Sequence, residues 1–440
     1  MTMPNGFSAA DAERLSEQER HLIERRARLL GPAYRLFYER PLHTVRGEGV
    51  WLYDNQGNRY LDAYNNVASI GHCHPRVVQA IASQAAVLNT HTRYLQEGIL
   101  DYAEDLLGTF PAGLDQVMFT CTGSEANDLA LRIARQYTGG TGVIITRFAY
   151  HGVTGSIAEL SPSLGSGITL PAHARTVIAP DAYRLGAENV GKLFADDVRA
   201  AIADLRAHGI KPAALLLDGI FASDGVLAGP AGFLAEAVKV AQEEGLLYIA
   251  DEVQSGFART GDAMWGFQRH GVQPDLVTLG KPMGNGQPIA GVVVRPPILE
   301  RFGREVRYFN TFGGNPVSCA AAQAVLDVIR DEQLQERSRR IGAFLADGIR
   351  RLAERHELIG DVRGAGLFLG VELVTDRGTK TPAAEQTRRV VNGMRERGVL
   401  ISAAGPLENI LKIRPLLAFE QEHAELFIDC LDKALADVAS

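Results

Sequence analysis

The sequence predicts an α/β protein, with a large domain built on a mainly parallel sheet between helices and a smaller α+β domain attached. Three observations predict this. Between about residues 75 and 325, short apolar runs alternate with helix-length segments, the pattern of strands joined by crossover helices. Two of those runs end on a polar residue and a turn: Leu246–Ala250 stops at Asp251, and Leu276–Leu279 stops just before Lys281 and a glycine-rich Pro-Met-Gly-Asn-Gly. Strands that stop this way are how an open α/β sheet presents chemistry at its carboxyl edge. After residue 325 the order becomes helix, strand, helix, strand, helix, which reads as a separate α+β unit. The chain therefore divides into 1–74, 75–325 and 326–440, and its 440 residues supply a core without staples.

Taken in order, residues 9–30 are charged and helix-favouring, with Leu15, Leu22, Leu29 and Leu30 at helical spacing and Gly31-Pro32 as the stop. Gly47–Asp62 reads as a hairpin turning at Asp54-Asn-Gln-Gly57 and packing with the C-terminal domain. The large domain supplies Val117–Thr120, Val143–Thr146, Ala214–Asp218, Leu246–Ala250, Leu276–Leu279 and Gly291–Val294 as strands. One intervening helix starts near Pro230, carries Phe233, Leu234, Ala237, Val238 and Ala241 on one stripe, and ends at Gly245. A long helical stretch, Cys319–Arg355, leads out of this domain. A strand over Gly366–Val374, a helix over 382–397, a strand over 409–414 and an amphipathic helix from about 420 complete the chain, with Thr375–Pro382 as its most loop-like segment.

Bulk properties narrow the function. The chain is 46% hydrophobic and 22% charged, ordinary for a globular protein. A net charge of -7 argues against a phosphate-backbone binder. Cys73, Cys121, Cys319 and Cys430 are scattered, which suits a reducing compartment. His72-Cys73-His74 invites a metal, but neighbours on an extended segment point to opposite faces, so no metal is expected. Met1–Gln18 is polar with no apolar core, unlike a signal or transit peptide. No apolar stretch approaches the roughly 18 residues of a membrane span. A cytoplasmic location is expected.

The chemistry starts at Lys281 and Asp251. A lysine at a sheet edge can bond an aldehyde, and a buried carboxylate can hold a pyridine nitrogen protonated. Together they are the two anchors of a pyridoxal 5'-phosphate (PLP) site. Either residue alone is better explained as a surface lysine or a helix cap. The strand Val117–Thr120 runs into Cys121-Thr-Gly-Ser-Glu-Ala-Asn-Asp128. There the N–H groups of Gly123 and Ser124 and the serine hydroxyl can cradle a phosphate. A plain turn capped by Ser124 and Glu125 accounts for the same residues. Tyr150 can lie flat on a cofactor ring, though a lone tyrosine is more often core. The glycines of Asn310-Thr-Phe-Gly-Gly-Asn-Pro316 allow close backbone approach.

These motifs, Thr122-Gly-Ser-Glu-Ala, Tyr150-His-Gly, Ile249-Ala-Asp-Glu-Val-Gln254, Gly280-Lys-Pro-Met-Gly-Asn-Gly286 and Asn310–Pro316, stand in an order that resembles the class III aminotransferase family, PLP enzymes of fold type I. The resemblance covers roughly Tyr34 to Asp437. It implies that Lys281 bonds PLP and carries protons, and that Asp251 pairs with the pyridine nitrogen. Val253 and Tyr150 would pack on the two ring faces, with His151 beside Tyr150 and Gln254 near the phenolic oxygen. Gly123 and Ser124 would hold the phosphate, and Thr311 would reach the phosphate bound by a neighbouring subunit, which implies a homodimer with shared sites. One departure stands out. Many members carry a glutamate after the strand at 214–217 that positions a substrate-gating arginine; this chain has Asp218-Gly219.

Within the family, Asn65-Asn-Val-Ala, Gly71-His-Cys-His-Pro75, Leu88–Leu95, Tyr308–Cys319, Leu358–Phe368 and Leu411-Lys-Ile-Arg-Pro415 look like the ethanolamine-phosphate phospho-lyase group. That implies elimination of phosphate and ammonia from O-phosphoethanolamine or a similar phosphorylated amine, to give an aldehyde. The alternative is an ω-aminotransferase passing an amino group to pyruvate or another 2-oxo acid. A lyase needs a cationic pocket for a dianion. Candidate donors are Arg93, Lys412 and Arg414, with Asn66. Arg93 lies in an uncharged run, and a surface or intersubunit salt bridge explains it equally well. Strand alternation puts Lys412 and Arg414 on one face. Arg414 also stands where transaminases bind a carboxylate.

Overall fold

A computed structural model describes residues 5–439, which leaves Met1–Pro4 of the polar start and Ser440 outside the described residues. Three sheets organise the chain. The first joins β1 (Thr44–Glu48), β2 (Trp51–Asp54) and β3 (Arg59–Asp62), and a late strand, β14 (Val399–Leu400), pairs in parallel with β3. The second sheet has seven strands: β4 (Gln116–Thr120), β5 (Gly142–Thr146), β6 (Ala174–Val177), β7 (Pro212–Asp218), β8 (Leu247–Asp251), β9 (Leu276–Leu279) and β10 (Ala290–Val294). Their spatial order is β4-β10-β9-β8-β7-β5-β6. Only β10 runs against its neighbours; the remaining pairs are parallel. The third sheet orders β11 (Ile359–Ala365), β12 (Phe368–Asp376), β16 (Ile410–Ile413) and β15 (Ser402–Ala404), with the short β13 (Thr381–Pro382) on β12.

The central strands are apolar throughout because both faces are covered. Every residue of β5, β8, β9 and β10 is buried. The helix Gly123–Thr138 packs on one face through Leu129, Ala130, Ile133 and Ala134. The helices Val190–Ala207 and Ala235–Glu243 cover the other.

Where the structure departs from expectation, local chemistry explains it. The edge strand β6 was missed because its half-buried Arg175 and Thr176 break the apolar run. The helix expected from Pro230 begins at Ala235, since Gly232 sits at φ +88 and cannot continue a helical turn. Residues 9–30 split at Ser16, whose hydroxyl caps the helix Glu17–Leu30 by accepting the Glu19 N–H at 3.2 Å. The long stretch from Cys319 divides into Pro316–Asp331 and Leu334–Ala353 at Gln333, φ +52. Gly366, also left-handed, turns β11 into β12. Thr375–Pro382 is a hairpin rather than a loop, closed by Asp376 accepting from Thr379. Among the described residues no helix is long and apolar enough to cross a membrane.

Candidate active site

The carboxyl ends of β7, β8 and β9 lie side by side, and each delivers a polar residue. Asp218 and Asp251 are register partners, as are Asp251 and Thr278. Asp251 is buried and fixed from three sides. Its Oδ2 accepts from His151 Nδ1 at 2.7 Å and from Asn127 Nδ2 at 3.0 Å, and its Oδ1 accepts the Val253 N–H at 3.1 Å. Asn127 is itself oriented, since Thr278 Oγ1 donates to its Oδ1 at 2.8 Å. A carboxylate satisfied along one edge is aimed rather than merely buried. Sequence reasoning missed Asn127 and Thr278. The available signal was spacing: Asn127 falls one helical turn after Gly123 and so shares its face.

Lys281 stands two residues past β9 and shares a cleft of ≈ 340 Å³ with Cys121, Gly123, Ser124, Tyr150, His151 and Val253. Its Nζ lies 5.8 Å from the centre of the Tyr150 ring. Burial pulls its amine below the usual lysine value, with Asp251 opposing and Arg414 reinforcing that shift. A lysine so placed is easier to free of its proton than a surface one.

The helix that opens this cleft is capped by Thr122, not by Ser124 as one reading had it. Thr122 Oγ1 accepts the Glu125 N–H at 3.1 Å, and Glu125 Oε2 accepts from Thr122 N and Cys121 N. That box satisfies the third N–H and leaves those of Gly123 and Ser124, at the first turn, pointing into the cleft. Ser124 Oγ accepts from Val153 N at 3.0 Å, so its own hydrogen is free to face an anion. A Cβ on Gly123 would stand 2.9 Å from Val253 Cγ1, and Gly280 packs on the same pair. The strand ends and helix start therefore approach closely around a concave, anion-friendly floor.

Lys412 lies on β16 and Arg414 just past it, both buried, at 8% and 5% exposure. Arg414 Nη1 donates to Gln254 Oε1 at 2.5 Å, its guanidinium lies 4.5 Å over the Tyr64 ring, and its Nε has no partner. Lys412 Nζ donates to the Ala222 carbonyl at 3.0 Å. Both cations flank the Phe368 ring, at 5.6 and 5.7 Å. Burial, then the Arg414 charge, pulls the Lys412 amine well below its usual value. Asn66 joins them through Gln254, donating from Nδ2 to its backbone carbonyl at 3.1 Å. That bond uses one of the two Nδ2 hydrogens and leaves the buried Asn66 Oδ1 without a partner.

Arg93 does not join this cluster. It is exposed, lies 3.7 Å over the Phe309 ring and borders a neighbouring groove with Tyr308 and Asn310. Thr311 is exposed in the same loop, which reaches the cleft wall where Asn310 Oδ1 meets Cys121 Sγ at 3.8 Å. Asp218 is tied back on its own loop, accepting from Ile220 N at 3.1 Å and Ala222 N at 2.9 Å, and does not contact Arg414.

Known proteins share this architecture over most of its length. The family model for class III aminotransferases matches residues 37–435. An alanine–glyoxylate aminotransferase 2-like protein of Drosophila melanogaster is 40% identical over 97% of this chain and 89% of its own length. Ethanolamine-phosphate phospho-lyase homolog 1 of Caenorhabditis elegans is 38% identical over 97% and 96%. A phospholyase from Arthrobacter, solved in complex with phosphoethanolamine, superposes with a TM-score of 0.91 at 45% identity, over 94% of this chain and 99% of that one.

Proposed function

The chain belongs to the class III aminotransferase family, and from that premise we propose that it is a PLP-dependent phospholyase. It eliminates phosphate and ammonia from O-phosphoethanolamine or a similar phosphorylated amine to give an aldehyde. The observation that carries this reading is the pair Lys412 and Arg414. Two cations are buried side by side, one on a carbonyl and the other on a neutral amide, and among the described residues neither meets a carboxylate in an ion pair. Asp218 acts on both cations and Asp224 on Lys412 from beyond ion-pair range; buried charge so weakly compensated is costly, and a dianionic phosphate offsets that cost for both at once. The phospholyase relatives support the same reading.

The cleft fits PLP on its own evidence: an aimed, buried carboxylate, a lysine with a lowered pKa, a tyrosine face and a helix start whose cap leaves the first two N–H groups free. Gly123 and Ser124 would hold its phosphate, Asp251 and its partner His151 its ring nitrogen, Val253 and Tyr150 its ring, Gln254 its phenolic oxygen, and Lys281 its aldehyde. When bound, PLP supplies an electron sink for charge released at the amine-bearing carbon. The protein's own part follows. Lys281 would act as the base that removes the proton from that carbon. Asp251 would hold the proton on the ring nitrogen. The neighbouring C–O bond breaks with its electron pair leaving on phosphate, whose charge Lys412 and Arg414 take up. Lys281 would return its proton to the carbon that lost phosphate, and water would then add at the amine-bearing carbon to give the aldehyde and release ammonia.

The same first steps serve an aminotransferase, and the Drosophila relative keeps that alternative open. Arg414 alone would then receive a carboxylate of an amino acid or 2-oxo acid. Phosphate release from O-phosphoethanolamine in the absence of any 2-oxo acid tests the reading, because only the lyase needs no amino acceptor.

Thr311 and Arg93 fit a homodimer with shared sites. They lie on a face that exposes Tyr94, Leu95 and Phe312, with Leu95 fully accessible at 101%. Such a face on one chain suits burial by a second copy.

A further inference from the structure

Arg259 is among the largest fully buried side chains in the protein, and nothing in the chemistry above uses it. It makes no ion pair with a carboxylate among the described residues; its Nε has no partner, and its two Nη atoms donate to neutral acceptors from separate parts of the chain. Nη1 donates to the carbonyls of Leu367, at 3.1 Å, and Pro415, and Nη2 donates to Ser69 Oγ at 3.0 Å. Each acceptor adjoins a residue of the anion cluster. Pro415 follows Arg414. Leu367 precedes Phe368, the ring that Arg414 and Lys412 flank. Ser69 lies three residues after Asn66, and Arg259 itself lies five after Gln254.

The junction is built to keep this geometry. Ser338 Oγ donates to the Arg259 carbonyl at 2.8 Å and accepts from Leu367 N at 3.1 Å. A Cβ on Gly366 would stand 2.5 Å from the Thr260 carbonyl carbon, so the two segments touch backbone to backbone. Leu417 N reaches the Ser69 carbonyl at 2.7 Å, and Arg414 N reaches that of Ala63 at 2.7 Å.

We infer that Arg259 is a positioning residue for substrate anion binding: its fork fixes Arg414, the Phe368 platform and the Asn66 loop in one arrangement. The planar guanidinium suits this because it offers several donors at set angles, which an ammonium cannot. Its charge also stands behind Arg414, close enough that the Arg414 charge adds to burial in lowering the Arg259 pKa, and so adds to the field an incoming anion meets. The inference rests on the reading of Arg414 as an anion-binding group.

The test is Arg259→Lys in the PLP-loaded enzyme, with Ser69→Ala as a gentler second variant that removes one anchor and no charge. Three quantities are read: KM and kcat for phosphate release from O-phosphoethanolamine, inhibition or spectral perturbation by inorganic phosphate, and the melting temperature. Arg259→Lys is expected to raise KM and to weaken inorganic phosphate by roughly tenfold or more, with kcat changed less and bound PLP retained. Ser69→Ala is expected to move the same two quantities by less, and it decides the matter if Arg259→Lys does not fold. A lower melting temperature with unchanged KM and unchanged phosphate binding would make Arg259 a structural brace only, and would overturn the inference. If the wild type binds inorganic phosphate but releases none from O-phosphoethanolamine, the lyase reading fails while the phosphate measurement still judges Arg259. Wild type that binds no phosphate overturns both.

Discussion

Asp218 and Asp251 are register partners at the parallel ends of β7 and β8, yet their carboxylates are held by different kinds of donor. Asp251 receives His151 and Asn127 side chains and stays aimed at the cleft. Asp218 receives the N–H groups of Ile220 and Ala222, which closes its loop and turns the Ala222 carbonyl to Lys412. One acid is held by side chains of the cleft, and the other closes the loop whose Ala222 carbonyl meets Lys412.

Replacing Asp251 by Asn keeps the shape and removes the charge that the proposed mechanism uses to hold the ring-nitrogen proton. The expected result is a loss of kcat of about a hundredfold to ten-thousandfold with PLP still bound. Steady-state phosphate release and the cofactor's visible absorbance check both halves, and full activity in D251N would remove Asp251 from the mechanism.

Lys281→Ala is expected to abolish turnover, and borohydride treatment should no longer fix PLP to the chain. Mass measurement of the reduced protein reads the attachment directly. Retained turnover would sink the lyase and the aminotransferase readings alike.

Single replacements of Arg414 and Lys412 by Gln should each raise KM for the phosphorylated amine by about ten- to a hundredfold, the scale of one charge-assisted hydrogen bond. The same changes should leave PLP content unaltered. If Lys412→Gln changes nothing while Arg414→Gln does, the pocket is built for a single carboxylate and the aminotransferase reading gains.

Asp224 gives a pH-dependent prediction. Burial raises its carboxyl to about 7, against the donation of Thr146 Oγ1 at 2.8 Å. An unfolded aspartate ionises near about 3.9. Between these values the unfolded chain has lost a proton that the folded chain keeps. The group's contribution to stability is therefore full below about pH 4 and is lost as pH rises through about 7. Asp224→Asn removes this dependence, so the stability of the variant relative to wild type should climb between pH 4 and 7 and then level off. Urea unfolding of both proteins across that range checks it, and a flat difference would return Asp224 to the ordinary carboxylate range.

The alternation of apolar runs made the central sheet legible, because parallel strands covered on both faces read as continuous hydrophobic stretches. Lys281 and Asp251 were legible for a related reason: each interrupts such a run at its end. What stayed hidden was contact between distant segments. Nothing in the run 122–129 says that Asn127 reaches Asp251, or that Arg259 spans Ser69, Leu367 and Pro415. Strand alternation did place Lys412 and Arg414 on one face. Arg93 has no regular element to assign it a side, and it lies on the exposed face beside Phe309 instead.

The measurement that tests the account most directly is an incubation of the PLP-loaded enzyme with O-phosphoethanolamine and no amino acceptor, following inorganic phosphate, acetaldehyde and ammonia together. The account predicts many turnovers with the three products in equal amounts. No phosphate, with alanine converting bound PLP to its aminated form and pyruvate restoring it, would contradict the lyase and establish an aminotransferase.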